Sequence, residues 1–290
     1  MPSDRDLRSR LAGVRALVLD LDGVLVLRGE LLPGAAQSLA RLEEAGVPYA
    51  IGTNMSIVSR ATLCRQIRRG GLDVPVERVM TAASAAAAYL RRHFDRQPLY
   101  VLAAPDAMTE FAGLRLLSHE EAADPDARVA AVVVGDAGDD FTARNIQSAF
   151  TLLRAGARFV AMHKNRWWIT PEGILIDSGA YVAALEYGTQ RRALVTGKPA
   201  RAFFAEGVRL VSQLAGRDIP AHQVAMVGDD LWNDIRGAQK AGLVGVFVRS
   251  GKHGETELAR AAGERGGRAP DAIALSIVDV AEAIAGPRSR

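Results

Sequence analysis

Two aspartates separated by one leucine, Asp20 and Asp22, follow the apolar run Ala16-Leu17-Val18-Leu19 and precede Gly23. Side chains alternate across a strand, so both carboxylates would project to one side if the strand geometry persists. Like charges held a few Å apart and partly desolvated cost several kcal/mol unless a cation or a shared proton relieves them. A divalent metal is the simplest relief, leaving one metal-bound carboxylate and one that carries a proton. The competing reading is a strand-end turn, since Asp-Gly after a strand is ordinary turn chemistry.

Three further stretches repeat this design. The run Val47-Pro48-Tyr49-Ala50-Ile51 ends in Gly52-Thr53-Asn54. In an open parallel sheet the carboxyl ends of strands line the ligand crevice, which would set Thr53 and Asn54 beside Asp20. A Thr-Asn turn opening a helix over 56–69 explains them equally well. Lys198 stands just before Pro199 and a helical pattern over 200–214. Proline suits the first helical position. An ammonium at the positive end of a helix then asks for an anion, a phosphate or a carboxylate. Neither Lys198 nor Gly251-Lys252 carries the glycines and following Ser or Thr of a nucleotide P-loop. Finally, Val224-Ala225-Met226-Val227-Gly228 runs into Asp229, Asp230 and, five residues after Asp229, Asp234. Hard divalent cations take oxygen ligands, and magnesium uses only one or two protein carboxylates, so Asp229 is the natural partner of Asp20. Asp234, near the start of a helix running to 241, would hold outer waters or the lysine, or cap that helix.

These sites need strands and helices to hold them. The 290 residues are 49% apolar and 24% charged, a globular composition long enough for two domains. Helices are expected over 33–45, 56–69 and 82–93, with strands over 47–51 and 74–81 between them. The pattern then changes to strands over 99–103, 114–117, 129–135 and 159–163. A short helix over 106–112, a helix over 141–155 and one over 179–187 accompany them, with a hairpin over 167–176 turning at Pro171-Glu172-Gly173. This middle piece, residues 83–192, has strands and helices enough to bury its own core and reads as an inserted domain. After it the first style returns, with a strand over 244–249 and an amphipathic tail helix over 273–285.

Other residues exclude more than they suggest. The net charge of +3 is spread along the chain, which argues against a nucleic-acid partner. Cys64 is the only cysteine, so an intrachain disulfide and a multi-cysteine metal site are both excluded. The five histidines lack metal-ligand spacing. Asp139 or Asp140 is expected to cap the helix that follows. Residues 1–10 are charged, and no run reaches the length of a membrane span, so the expectation is a cytoplasmic protein with no membrane partner.

Asp-x-Asp, Thr-Asn, Gly-Lys-Pro and Gly-Asp-Asp-x-x-x-Asp now stand in order along the chain. In this order and spacing the chain resembles the haloacid dehalogenase-like hydrolase superfamily, in its NagD-like (class IIA) phosphatase branch. There a cap domain is inserted between the second and third motifs. Segments His163-Lys164-Asn165-Arg166-Trp167-Trp168 and Ala183-Ala184-Leu185-Glu186-Tyr187, with Gly228-Asp229-Asp230, carry the likeness within that branch. Met55 stands where many NagD-like relatives have a second asparagine.

The resemblance implies an α/β fold: a Rossmann-like parallel-sheet core of residues 1–82 and 193–290 with an α/β cap over 83–192. It implies a magnesium-dependent phosphatase for a small phosphorylated substrate, working through an aspartyl-phosphate. Asp20 would be the nucleophile and Asp22 the acid and base. Asp20, the backbone carbonyl of Asp22 and Asp229 would hold the metal, with Asp230 and Asp234 behind them. Thr53, Asn54 and Lys198 would hold the phosphoryl group. Lys164, Asn165 and Trp167 in the cap hairpin are the candidates for selectivity, although the hairpin aromatics would equally suit a homodimer formed through the cap. Two other functions fit the same acidic site: a phosphotransferase or mutase using the same nucleophile, and a non-catalytic phosphate-responsive binding module.

Overall fold

The computed structural model of the chain describes residues 4–170, 173–264 and 268–286. They divide into two compact units: one of residues 1–53, 64–80 and 198–290, the other of 54–63 and 81–197. Both are α/β, and each is built on its own parallel sheet. The fold is thus a parallel-sheet core with an inserted α/β unit.

The first unit contains six parallel strands in the order Ala272–Ala274, Val244–Val248, Val224–Gly228, Ala16–Leu19, Tyr49–Gly52 and Val79–Met80. Chain order runs one way from Ala16–Leu19 to the strands at 49 and 79, and the other way to those at 224, 244 and 272. Ala16–Leu19 is therefore the point where the winding reverses, and a crevice opens at the carboxyl ends of the strands there. The register aligns Leu19 with Val227 on one side and Ile51 on the other. Asp20, Asp229 and Thr53 thus leave the sheet at neighbouring strand ends. All four residues of Ala16–Leu19 and all five of Val224–Gly228 are buried, as runs without polar alternation require. Helix Arg201–Ala215 packs on strands Ala16–Leu19 and Tyr49–Gly52, and helices Ala35–Glu44 and Ile277–Ala285 pack on each other.

The second unit's parallel sheet has the order Leu194–Val195, Arg158–Ala161, Ala131–Val134 and Leu99–Leu102. Alternation sorts its side chains into two cores. Val101, Val133 and Val160 meet the alanine-rich helix Ala82–His93 on one face. Tyr100, Leu102, Val132, Val134 and Phe159 meet helices Ala143–Arg154 and Ser178–Thr189 on the other. The antiparallel hairpin Trp167–Thr170 with Gly173–Ile176 forms as expected, while its turn residues Pro171 and Glu172 lie outside the described residues.

Several local expectations are corrected. Residues 114–117 form no strand and contribute a single bridge, Leu116 to Leu99, whereas Leu194–Val195 supplies the edge strand. The helix expected from 56 begins at Arg60. The reason lies in its first turn: Ser59 and Arg60 give their amides to Asp106 and Glu110 at 2.7 Å each, and these carboxylates cap the helix from elsewhere in the chain. Thr142, not Asp139 or Asp140, caps helix Ala143–Arg154, its side chain accepting from the Asn145 amide. Pro199 stands outside helix Arg201–Ala215, whose cap position is Ala200. Among the described residues no helix is long and apolar enough to cross a membrane.

Candidate active site

Asp20 prolongs its strand by one hydrogen bond, its amide donating to the Val227 carbonyl at 2.8 Å, so its carboxyl leaves the sheet in a fixed direction. That carboxyl is buried, and its Oδ1 accepts from the Leu21 amide at 2.8 Å and lies 2.8 Å from Lys198 Nζ. The same ammonium lies 2.7 Å from Asp234 Oδ1. Lys198 is 4% exposed and Asp234 fully buried, so one cation sits between two buried carboxylates. The anion that Lys198 requires is thus supplied by the chain itself.

The other carboxylates crowd in from the neighbouring strand end. Asp20, Asp229 and Asp234 can each present an oxygen within 4.8 Å of the others. One buried cation does not neutralise three buried carboxylates, and the electrostatics record the deficit. Burial raises the Asp20 pKa, with Lys198 opposing and Asp229 reinforcing. Burial and the Asp20 charge push Asp234 up to about 7 against the pull of Lys198. Burial, then Asp234, raises Asp229. Burial alone would lower Lys198, but Asp20 and Asp234 outweigh it and hold the ammonium protonated. Such an excess of hard oxygen donors fits a divalent cation. A cradle observation agrees: a Cβ at Gly23 or at Gly251 would strike the Asp229 carboxyl, so bare backbone wraps it from two sides.

Asp22 differs from its neighbours. It keeps an exposed face, yet the protein around its carboxyl removes enough water to raise its pKa, with Lys198 opposing and Asp229 reinforcing. Asp230 turns away from the cluster. Its Oδ1 accepts the Trp232 and Asn233 amides at 2.9 Å each, capping the π-helical turn Leu231–Arg236, and its Oδ2 lies 2.8 Å from Lys252 Nζ. Burial would raise its pKa, but Lys252 and the Asn233 amide pull it down to about 2. Capping therefore falls to Asp230, while the π-turn carries Asp234 back to Lys198.

The loop after strand Val244–Val248 closes the site, although from the sequence its Gly251-Lys252 pair reads only as a P-loop that lacks its other residues. The Lys252 amide donates to Asp229 Oδ2 at 2.7 Å, the Ser250 hydroxyl donates to the Gly23 carbonyl at 2.6 Å, and His253 Nδ1 accepts the Leu231 amide at 3.1 Å. A strand end beside Val224–Gly228 was the available signal, since that register alone sets the loop against Asp229.

Asp20, Asp22, Thr53, Lys198, Asp229, Asp230 and Asp234 all belong to the first unit. Asn54, Lys164, Asn165 and Trp167 belong to the second. There Lys164 Nζ is 2.6 Å from Glu186, whose pKa is lowered because this pairing and the Ala193 amide outweigh its burial. The Asn165 carbonyl accepts from Gly179 at 3.0 Å, and Trp167 is 55% exposed.

The second unit also buries His163, with Nε2 2.8 Å from Ser56 Oγ and 3.9 Å from Asp177 Oδ1. Serine, histidine and aspartate together invite a nucleophile reading. Their burial and the 2.6 Å bond from the Ser178 amide to Asp177 make the group a structural fastening. Burial lowers the His163 pKa against the pull of Asp177, so the folded protein holds the ring neutral. The unfolded chain then takes up the proton more readily, and stability is lost as pH falls through the ordinary imidazole value of about 6.5. Urea midpoints should drop more steeply between about pH 7 and pH 5 for the wild type than for His163→Gln; parallel curves would contradict this assignment.

The profile described as haloacid dehalogenase-like hydrolase matches residues 17–116, and a second, HAD-hydrolase-like profile matches residues 195–280. Human haloacid dehalogenase-like hydrolase domain-containing protein 2 is 33% identical over 240 residues, covering 83% of this chain and 86% of that protein. Human phospholysine phosphohistidine inorganic pyrophosphate phosphatase is 32% identical over 249 residues, covering 84% and 86%. Among solved structures, the 4-nitrophenylphosphatase of Thermotoga maritima superposes with a TM-score of 0.80 at 28% identity, covering 94% of this chain and 98% of that one. The glycerol phosphate phosphatase of Mycobacterium tuberculosis, solved in complex with magnesium, gives 0.79 at 27% identity, covering 93% and 77%. The chain belongs to the haloacid dehalogenase-like hydrolase family. Within it the chain stands with the NagD-like phosphatases, and as an enzyme it is a phosphoric monoester hydrolase.

Proposed function

We propose that this phosphatase is magnesium-dependent and hydrolyses a small phosphorylated substrate in two steps through an aspartyl-phosphate on Asp20. The observation that carries the reading is the buried cluster of Asp20, Asp229 and Asp234 around Lys198, at the strand ends where the sheet reverses its winding. In the first step an Asp20 oxygen attacks phosphorus and the bond to the leaving oxygen breaks. The leaving oxygen keeps the electron pair and takes the proton of the Asp22 carboxyl. In the second step Asp22, now a carboxylate, accepts a proton from water as the water oxygen attacks phosphorus, and Asp20 departs as a carboxylate with release of phosphate. Splitting the displacement in this way lowers each barrier. The raised pKa of Asp22 suits a group that must carry a proton and then retrieve one.

Lys198 balances the charge of Asp20 and of the phosphoryl group, while Thr53 and Asn54 hold phosphoryl oxygens. Asp20, Asp229 and the Asp22 carbonyl would hold the magnesium, with Asp230 and Asp234 supporting them. The ion would offset repulsion between carboxylate and phosphate. Residues 83–192 act as the cap, with Lys164, Asn165 and Trp167 as its substrate-selecting candidates. The exposed Trp167, Leu175, Ile176 and Tyr187 support pairing of two copies through the cap.

Chelation should abolish phosphate release, and added magnesium should restore it and raise the melting temperature of the protein, since a ligand of the native state stabilises it. Asp229→Ala should raise the half-saturating magnesium concentration by more than ~100-fold, and Asp234→Asn by ~10 to 100-fold. Equal shifts in the two melting titrations would mean that ligand and support are assigned the wrong way round. Steady phosphate release also separates this reading from a binding module, and its persistence without an added acceptor alcohol separates it from a phosphotransferase.

A further inference from the structure

We propose that Ser250 is a positioning residue for general acid catalysis, fixing the turn that aims Asp22. The inference rests on Asp22 being the acid and base. Among the described residues no hydrogen bond reaches the Asp22 carboxylate, so its direction is set by its backbone rather than by a partner. That backbone is a tight turn: the Gly23 amide donates to Val26 at 2.7 Å, and the Leu25 and Val26 amides donate to Leu21 at 2.9 and 3.0 Å. All three bonds lie inside the turn, and the buried side chains of Leu21, Val24 and Leu25 root it in the core, but none of these ties it to the loop beside Asp229.

The Ser250 hydroxyl supplies what they do not. It donates to the Gly23 carbonyl at 2.6 Å, across 227 residues of sequence. Gly23 has φ +78 and its Cα faces Asp229, so no side chain at this position can add a second tether. Ser250 precedes Gly251, whose backbone abuts Asp229, and Lys252, whose amide donates to Asp229. One short loop thereby sets the proton carrier and a carboxylate of the acidic cluster in a common frame. Losing the hydroxyl removes the hydrogen bond that ties the Gly23 carbonyl to that loop, and an Asp22 less closely aimed protonates poorly while Asp20 keeps its own anchors, Leu21 N and Lys198.

Leaving-group chemistry separates aim from general damage. A nitrophenolate departs with little need of a proton, whereas an alkoxide needs one in the transition state. With magnesium-loaded enzyme, kcat/KM, which reports only the first step and not the shared hydrolysis of the aspartyl-phosphate, is compared for 4-nitrophenyl phosphate and glycerol phosphate. Ser250→Ala should lower kcat/KM for the alkyl ester at least ~10-fold more than for the aryl ester, and Ser250→Thr should restore the wild-type ratio. Ser250→Cys, matched in size and a poor donor, reads the same ratio if the alanine variant does not fold. Equal losses on the two esters, no loss on either, or a threonine variant as impaired as alanine would overturn the assignment. A wild-type enzyme that turns over neither ester overturns the acid-base reading itself, an outcome distinct from equal losses in the variants.

Discussion

Asp20→Asn should abolish steady phosphate release, by on the order of 10⁴-fold or more, while leaving the melting temperature close to that of the wild type. The amide has the shape of the carboxylate and can still accept the Leu21 amide on its oxygen, so the strand end survives. What it loses is nucleophilicity, and with it the first of the two steps. It also removes one negative charge from an over-charged cluster, so the unliganded protein should be no less stable than the wild type. Phosphate release and thermal unfolding, measured on the same preparation, check both halves. Retention of even a tenth of the turnover would mean that Asp20 is not the attacking group.

Lys198→Met should be costly in a different way. The ammonium is buried between Asp20 and Asp234, and removing it leaves two buried carboxylates facing each other without a counter-charge. Breaking a buried pair by deleting one partner costs ~3 to 5 kcal/mol. Urea unfolding without magnesium should show a loss of that size, reduced as pH falls and the carboxylates take up protons. Turnover should drop by ~10² to 10³-fold even with saturating magnesium, because a preorganised charge at the transferring phosphoryl group is gone. A methionine variant as stable and as active as the wild type would show that the ammonium is a bystander.

How much of this was legible from residues alone depended on how local each cause is. Asp20 and Asp229 could be read because each ends a run of buried apolar residues, and a carboxylate there has few structural uses. Lys198 could be read as wanting an anion and Asp234 as one candidate for it, but holding the lysine could not be told from capping the helix. The contact with Asp234 depends on the π-helical turn Leu231–Arg236, whose extra residue per turn leaves no periodic mark in so short a stretch. That Asp230 takes the capping role weighed for Asp234 follows from the same turn. Ser250, Gly251 and Lys252 were out of reach because their work is tertiary. They matter only because strand Val244–Val248 lies beside Val224–Gly228, which delivers them to Asp229 and Gly23.

The same distinction runs through the fold. Helix Ala82–His93 is written in its alanines and in a Thr81-x-x-Ser84 capping box, and it forms where expected. Helix Arg60–Arg69 starts later than its pattern suggests because its caps, Asp106 and Glu110, come from more than 40 residues away. Residues 114–117 have the composition of a strand and run beside the free edge of Leu99–Leu102, but they pair there through one bridge only, Leu116 to Leu99. Local propensity was overruled there by pairing, which a single sequence does not display.

The central claim is a covalent phosphoryl group on Asp20, and trapping it is the most direct test. Enzyme quenched during turnover and treated with borohydride should have the acyl phosphate reduced, converting Asp20 to homoserine, and peptide mass spectrometry should find that change at position 20 alone. The conversion should require substrate and magnesium and be absent from Asp20→Asn. Turnover with no reduced residue at position 20, or with the mark on another side chain, would contradict the account.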